Sequence, residues 1–398
     1  MYKFKHFFAL SSVLLTLVIV LSILSLGVTA QSIPVPEMVK IGIHAVGTGG
    51  HRTSSVAIES MIEKYGNKVR AVPQGSEIAR NIMGRNNTVD VVIQASMTLL
   101  MMNEGLLEYN KIEWGPQPIQ GIFFPSHPGL VFSVLKDSDI YSFEDLRGKR
   151  VPTIVTSPAS NWLVTAILAY GGLTREDVIN IDINSISTAY GSVRDRKIDV
   201  SYFNLTSSNT YEIDAGQGLR YLEMPPDTKE GKEGWERIYK KFPGFSPKLA
   251  IKGAKVSKDD PAWVLTMGNN IWFAWPDVNP DIAYFIAKAL NECYDVYSKR
   301  DDSLEGDWSI ETHWANWEGS IGQIPLNEGA IRYYKEVGMW NDKREKINQE
   351  RLKHQKDLRV LWGEMLIEAA EKGIETTPEN LEKLWYEYRE KAGLFLPL

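Results

Sequence analysis

The sequence is poor in the residues that carry covalent, redox or metal chemistry. Its 398 residues include one cysteine, Cys293, and six histidines. A single cysteine closes no internal disulfide and builds no multi-cysteine metal site. His44, His51, His127 and His313 are scattered, and none has a partner at metal-ligand spacing. Neither H-E-x-x-H nor G-x-S-x-G occurs. Gly47-Thr48-Gly49-Gly50 lacks both the Lys-Ser/Thr ending of a P-loop and the G-x-G-x-x-G spacing of a dinucleotide site. No nucleophile paired with a base is found, so no catalytic residue, no metal and no cofactor is expected, and the chain reads as a non-enzyme. The formal charge of −6 removes any general electrostatic case for nucleic-acid binding. Beyond residue 31 no apolar run is long enough to span a bilayer.

What remains is an ordinary core-forming composition, 43% hydrophobic and 24% charged, long enough for two domains and an appendage. The amino terminus stands apart. Lys3, Lys5 and His6 precede an almost uncharged stretch from Phe7 to Val28, closed by Val28-Thr29-Ala30 before Gln31. A basic start, an apolar run and small residues before a cut describe a signal peptide over residues 1–30. The same run, left uncut, is long enough to anchor the chain in a membrane. Either way the rest is exported, to the periplasm or another extracytoplasmic space.

The body alternates strands and helices. Val39–His44 alternates like a strand, and Ile58, Met61, Ile62 and Tyr65 mark a helix at i, i+3, i+4, i+7. Val69–Pro73 is β-prone, Ile78, Ile82 and Met83 stripe a second helix, and Asp90–Ile93 reads as a buried strand. The order recurs as strand Arg150–Val155, helix Asn161–Tyr170, strand Ile179–Ile183, helix Ser187–Arg196 and strand Asp199–Phe203. Two β-α-β-α-β lobes with parallel-rich sheets follow. Lobe one spans residues 31–130, with 250–340 returning to it, and lobe two spans 131–249. Gly129–Leu135 and Met267–Trp275 are the apolar segments expected to carry the chain across and back. Thr174 and Asp177 predict a capping box. Cys293 lies on the apolar stripe of a helix opened by Asn279 and Pro280, and reads as an inert core thiol. Residues 341–398 form a charged helical extension. Its two stripes, Leu358-Leu361-Trp362-Met365-Leu366-Ala369 and Leu381-Leu384-Trp385-Tyr388, either fold back on the body or mediate self-association.

Ligands of open parallel sheets sit beyond the carboxyl ends of the strands, facing helix N-termini. That rule selects six loops of small, neutral hydrogen-bonding residues. Thr48, Gly49, Gly50 and His51 follow the first strand, Gln74 and Ser76 the second, Gln94 and Ser96 the third. Lobe two contributes Ser157, Ser160 and Asn161, then Asn184-Ser185, then Asn204. Each loop alone is also ordinary turn and cap chemistry; six expected in one cleft make a polar ligand site. Arg52 is a counter-ion candidate, though a solvent-facing or helix-capping role suits it better. His44 ends a strand and reads as structural. Glu311 and His313 lie in a tryptophan-rich loop with no nucleophile placed opposite them. Trp272 and Trp275 suit either ligand stacking or the core.

Residues 38–340 resemble the TAXI family of solute receptors of TRAP transporters. The likeness rests on Ile41-Gly42-Ile43 with Gly47-Thr48-Gly49-Gly50, on Ser142-Phe143-Glu144-Asp145-Leu146-Arg147-Gly148-Lys149-Arg150-Val151, on Tyr170–Thr174, on Lys197–Val200 and on Pro325–Tyr334. The resemblance implies a type II-like periplasmic-binding-protein fold that closes over a small carboxylate solute and delivers it to TRAP permease subunits. His51-Arg52-Thr53 and Ser157–Ser160 depart from the family pattern at ligand-facing places. An ABC-importer receptor for sulfonate-like anions, an exported enzyme and a sensory module are the alternatives on the same fold.

Overall fold

Alternating β-branched residues open the described chain as strand β1 (Met38–Ile43), and its neighbours follow in the expected order. They are α1 (Gly49–Tyr65), β2 (Lys68–Pro73), α2 (Glu77–Arg85), β3 (Val91–Gln94), α3 (Ser96–Glu104) and β4 (Gln120–Phe123). The computed structural model describes residues 35–127, 129–241, 244–319 and 324–394. The expected signal peptide falls on residues 1–34 and lies outside the described residues. Among the described residues no helix is long and apolar enough to cross a membrane.

Lobe two holds β5 (Leu130–Leu135), β6 (Arg150–Ile154), α4 (Pro158–Tyr170), β7 (Ile179–Ile183), α5 (Ile186–Arg194), β8 (Ser201–Asn204), α6 (Ser208–Gln217), β9 (Leu219–Leu222), α7 (Lys229–Lys241), β10 (Ser246–Ala250) and β11 (Ala262–Thr266). The chain then returns as β12 (Ile271–Ala274), α8 (Pro280–Glu292), α9 (Tyr294–Arg300), α10 (Ile310–Glu318) and α11 (Glu328–Glu336), and ends with α12 (Asp342–Glu371) and α13 (Pro378–Lys391). The architecture is α/β, as expected.

The sheets are more mixed than two parallel βαβαβ units. In lobe one the order is β2-β1-β3-β12-β4, with β2, β1 and β3 parallel and β12 antiparallel to both neighbours. In lobe two only β6 and β7 pair in parallel, while β10-β11-β5-β8 is antiparallel and β9 also pairs with β5. The physical reason lies in the crossings. A strand entering a lobe straight from the other one, as β5 and β12 do, needs no crossover helix and pairs antiparallel. Because β10 and β11 belong to the lobe-two sheet, the return crossing falls at residues 267–270, later than the boundary near 250 expected from sequence. The two crossings pair with each other, Ser126 bridging Gly268 and the His127 amide donating to Met267 O at 3.0 Å.

The repeat itself is real at the level of individual bonds. The Lys40 amide donates to Asp90 Oδ2 at 2.7 Å, and the Arg150 amide to Asp199 Oδ2 at 2.8 Å. Thr48, Ser76, Ser157 and Ser185 each cap a helix by accepting from the amide three residues on. Asn87 and Arg196, at φ 55 and 57, close the corresponding helix ends in left-handed geometry. The Thr174–Asp177 capping box forms as expected. Cys293 is buried against Ser60 O, and Trp272 and Trp275 are core residues.

The extension folds back. Leu358, Trp362, Met365, Leu381 and Trp385 bury one another with Leu106, and Trp362 meets Trp385 edge-on at 5.0 Å. Both apolar stripes are thereby covered within the chain, the fold-back alternative of the two weighed from sequence. Glu104, at the end of α3, receives Arg389 Nη2 at 2.6 Å, and His354 Nε2 lies 2.9 Å from its other oxygen. Trp385 Nε1 and Gln355 Nε2 add bonds to Glu104 O and Asn103 Oδ1. All nine residues of α3 are buried as a result. Breaking one side of a buried ion pair leaves an uncompensated charge, at a cost of about 3–5 kcal/mol. Arg389→Met is therefore expected to lose about that much in urea unfolding, and adding Glu104→Met is expected to recover most of it. A double variant no more stable than the single one would assign the loss to packing instead.

Candidate functional site

The carboxyl ends of β1, β2 and β3 converge on one side chain. Arg80, in α2, donates from Nε to Ile93 O at 3.1 Å and from Nη1 to Gln74 O at 2.5 Å. Its Nη2 donates to Gln94 Oε1 at 2.5 Å and faces His44 Nδ1 at 3.3 Å. The guanidinium is buried, and desolvation lowers it to about 10, which leaves it charged at neutral pH. Its placement overturns the expected orientation of α2. The sequence stripe of Ile78, Ile82 and Met83 predicts an apolar face, yet Ile82 is 42% exposed and the buried residues are Glu77, Arg80, Asn81 and Gly84. Gly84 permits this, since a Cβ there would stand 2.5 Å from Trp275 and Val92.

Around Arg80 lies a cavity of about 90 Å³ lined by both lobes. Eight of the sequence-selected residues line it: Thr48, Gly49, Gly50, Gln94, Ser157, Ser160, Ser185 and Asn204. The other six do not; Asn184 gives its carbonyl to the Thr156 hydroxyl. Ser76 caps α2, Gln74 Oε1 accepts from the Ser76 amide, and Asn161 makes two bonds to the Ile154 backbone. Ser96 is buried, with its amide on Gly268 O of the crossing. His51 gives its amide to Thr48 Oγ1. Arg52, the counter-ion candidate, is instead paired with Asp301 at 2.9 Å and Ser303 at 3.0 Å. His313 is also structural, accepting from the Phe124 amide and stacked on Phe123 and Tyr334.

The lining includes groups that sequence reasoning passed over. His44, read as structural, faces the cavity. Because Arg80 can only donate, Nδ1 of His44 accepts and the proton sits on Nε2, which is buried without a partner. His127 is set the same way, its Nδ1 accepting from the Gly129 amide at 3.0 Å. Burial, helped by Arg80, drives His44 well below the usual histidine range, and burial brings His127 down to about 3. Both are neutral. Glu77 lines the cavity too, with Oε2 accepting from Ser157 Oγ at 2.9 Å across the lobes. Burial raises its carboxyl, opposed by Ser157 and Arg80. Further bonds cross the cleft: the Glu77 amide donates to Thr156 O, and Ser207 and Ser208 donate to Gly47 O. Asn204 reaches α1 so closely that a Cβ on Gly49 would sit 2.1 Å from its Nδ2. The one local signal for the missed residues was the spacing of Glu77, Arg80, Asn81 and Gly84, a polar face at helical period. His127 had none.

Gly49 and Gly50 line this cavity at the start of α1, where helix geometry leaves the first-turn amides without intrahelical partners. The arrangement can hold an oxyanion. Among the described residues no cluster of His, Cys, Asp and Glu fit to hold a metal ion is found.

Neutral burial of His127 makes stability pH-dependent. The unfolded chain takes up protons as pH falls below about 6.5, while the folded state resists until about 3. This contribution is intact above pH 6.5 and is lost progressively on acidification, reaching about 2 kcal/mol at pH 5. His127→Asn keeps an acceptor for the Gly129 amide. Urea unfolding at pH 7 and pH 5 is expected to show wild type losing about 2 kcal/mol more than the variant; equal losses would refute it. Glu77 works in the opposite sense in both proteins and cancels in the comparison.

The NMT1-like family model matches residues 66–338. No curated protein matches the sequence. Among solved structures, the aliphatic sulphonate binding protein SsuA of Escherichia coli is 13% identical. The match covers 82% of this chain and 94% of that one at a TM-score of 0.44. The alkanesulfonate-binding protein SsuA of Xanthomonas axonopodis pv. citri, bound to MOPS, is 12% identical over 77% and 96%, with a TM-score of 0.44. A putative L-cystine ABC transporter protein of Listeria monocytogenes is 13% identical over 69% and 99%, with a TM-score of 0.41. The family match does not extend to the TAXI assignment.

Proposed function

We propose that this chain, which belongs to the NMT1-like family, is an extracytoplasmic receptor that closes over a small oxyanion-bearing solute and hands it to a membrane importer. The observation that carries the proposal is the single cavity shared by two lobes, with unpartnered donors on the lobe-one side. His44 Nε2–H is buried without a partner, Gly49 and Gly50 line the cavity at the start of α1, and Arg80 supplies positive charge in the same lining. Only closure adds Asn204, Ser157 and Ser160 from lobe two, so solute stabilises the closed form by contacts the open form lacks. Of the transporter classes weighed from sequence, an ABC importer of sulfonate-like anions accords with the NMT1-like match better than a TRAP system does.

Small-angle scattering is expected to record a smaller radius of gyration once solute saturates the protein. Unchanged dimensions with solute tightly bound would count against closure. Gly49→Ala places a methyl against an Asn204 side chain already fixed by Thr206, whose amide and hydroxyl both bond Asn204 Oδ1. Its affinity is expected to fall tenfold or more at a nearly unchanged melting temperature. Retained affinity would show that the lobes do not approach that closely when solute is held.

A further inference from the structure

Helices α2 and α4 meet across the cleft at their N-termini, and each is completed by the other lobe. Glu77, the first residue of α2, donates its amide to Thr156 O at 3.1 Å. In return Ser157 Oγ, the cap of α4, donates to Glu77 Oε2 at 2.9 Å. The Ala159 amide in the first turn of α4 is a further donor to the same carboxyl, and so is the Thr98 hydroxyl of α3. First-turn amides have no partner inside their own helix. Lobe two supplies the acceptor for α2, and lobe one supplies the acceptor for α4. Glu77 and Ser157 are only 4% and 6% exposed, so these bonds are shielded from water.

Closing the lobes also sets like partial charges side by side. The starts of α1, α2 and α4 line one cavity together with the Arg80 guanidinium. Each helix start carries partial positive charge, which opposes closing with nothing bound between the lobes. A carboxyl group among them offsets that opposition, and among the described residues Glu77 is the one acidic side chain in the lining. Arg80, one helical turn on, directs its guanidinium to His44, Gln74, Ile93 and Gln94, which leaves Glu77 for the other lobe. The Lys248–Asp307 ion pair joins the lobes too, but beside the crossings at Ser126 and His127, where opening moves atoms least.

We propose that Glu77 is a latch: its carboxyl holds α4 of lobe two against lobe one and lets part of the solute-free population close. The proposal rests on the receptor reading and adds what sets that receptor's closure. Solute has only the remaining open fraction to convert, whereas a chain without the latch stays open until solute arrives.

The test uses the full chain, freed of solute by unfolding and refolding. Spin labels on Glu59→Cys and Glu176→Cys, one exposed position on each lobe, report the inter-lobe distance by double electron–electron resonance, while buried Cys293 stays unlabelled. Wild type is expected to show a short and a long distance. Glu77→Ala is expected to lower the short-to-long ratio tenfold or more. Ser157→Gly removes the partner hydroxyl from lobe two while glycine still serves as a cap, and is expected to lower the ratio threefold or more. Melting curves establish that each variant is folded, and either one alone decides the matter. An unchanged ratio overturns the latch. A wild type with the long distance alone also overturns it, and compaction by solute in the scattering experiment then still upholds the receptor reading.

Discussion

A guanidinium taken out of water has to be surrounded by acceptors, and Arg80 meets that requirement by drawing together the ends of three parallel strands. His44 follows β1, Gln74 follows β2, and Ile93 and Gln94 belong to the end of β3. These are the loops from which the lobe-one half of the cavity is made. The same bond that anchors Arg80 fixes the tautomer of His44 and leaves its Nε2–H buried without a partner. Positive charge, a neutral donor and free helix amides thus share one cause.

The two lobes repeat the same local bonds on different sheets and are unequal in chemistry. Their strand-start carboxylates, Asp90 and Asp199, and their helix caps correspond bond for bond. Where α2 buries Glu77, Arg80 and Asn81, however, α5 buries Ala189, Tyr190 and Val193. Charge is concentrated in lobe one, and lobe two brings hydroxyls and amides.

The extension belongs to the same economy of burial. Because Arg389, His354 and Trp385 all meet Glu104, α12 and α13 act as the outer wall of α3. At its other end α3 begins beside the paired crossings, where the Ser96 amide bonds Gly268 O. The charged surface that made residues 341–398 look separate is simply their solvent side.

Much was legible in the chain itself. The alternation of strands and helices, the serine and threonine caps, the capping box at Thr174 and the core role of Cys293 are local patterns, and local patterns act through neighbours within a few residues. Eight of the residues that line the cavity were selected the same way, because they stand at strand ends and helix starts. The face on which α2 lies was decided elsewhere. Ile78 and Ile82 obey the helical period, yet burying Arg80 and Glu77 instead becomes favourable only once carbonyls and hydroxyls distant in sequence surround them. His127 and the Arg389–Glu104 pair are of the same kind. Periodicity records what an element offers, whereas the burial of a charge depends on partners that only the folded chain assembles.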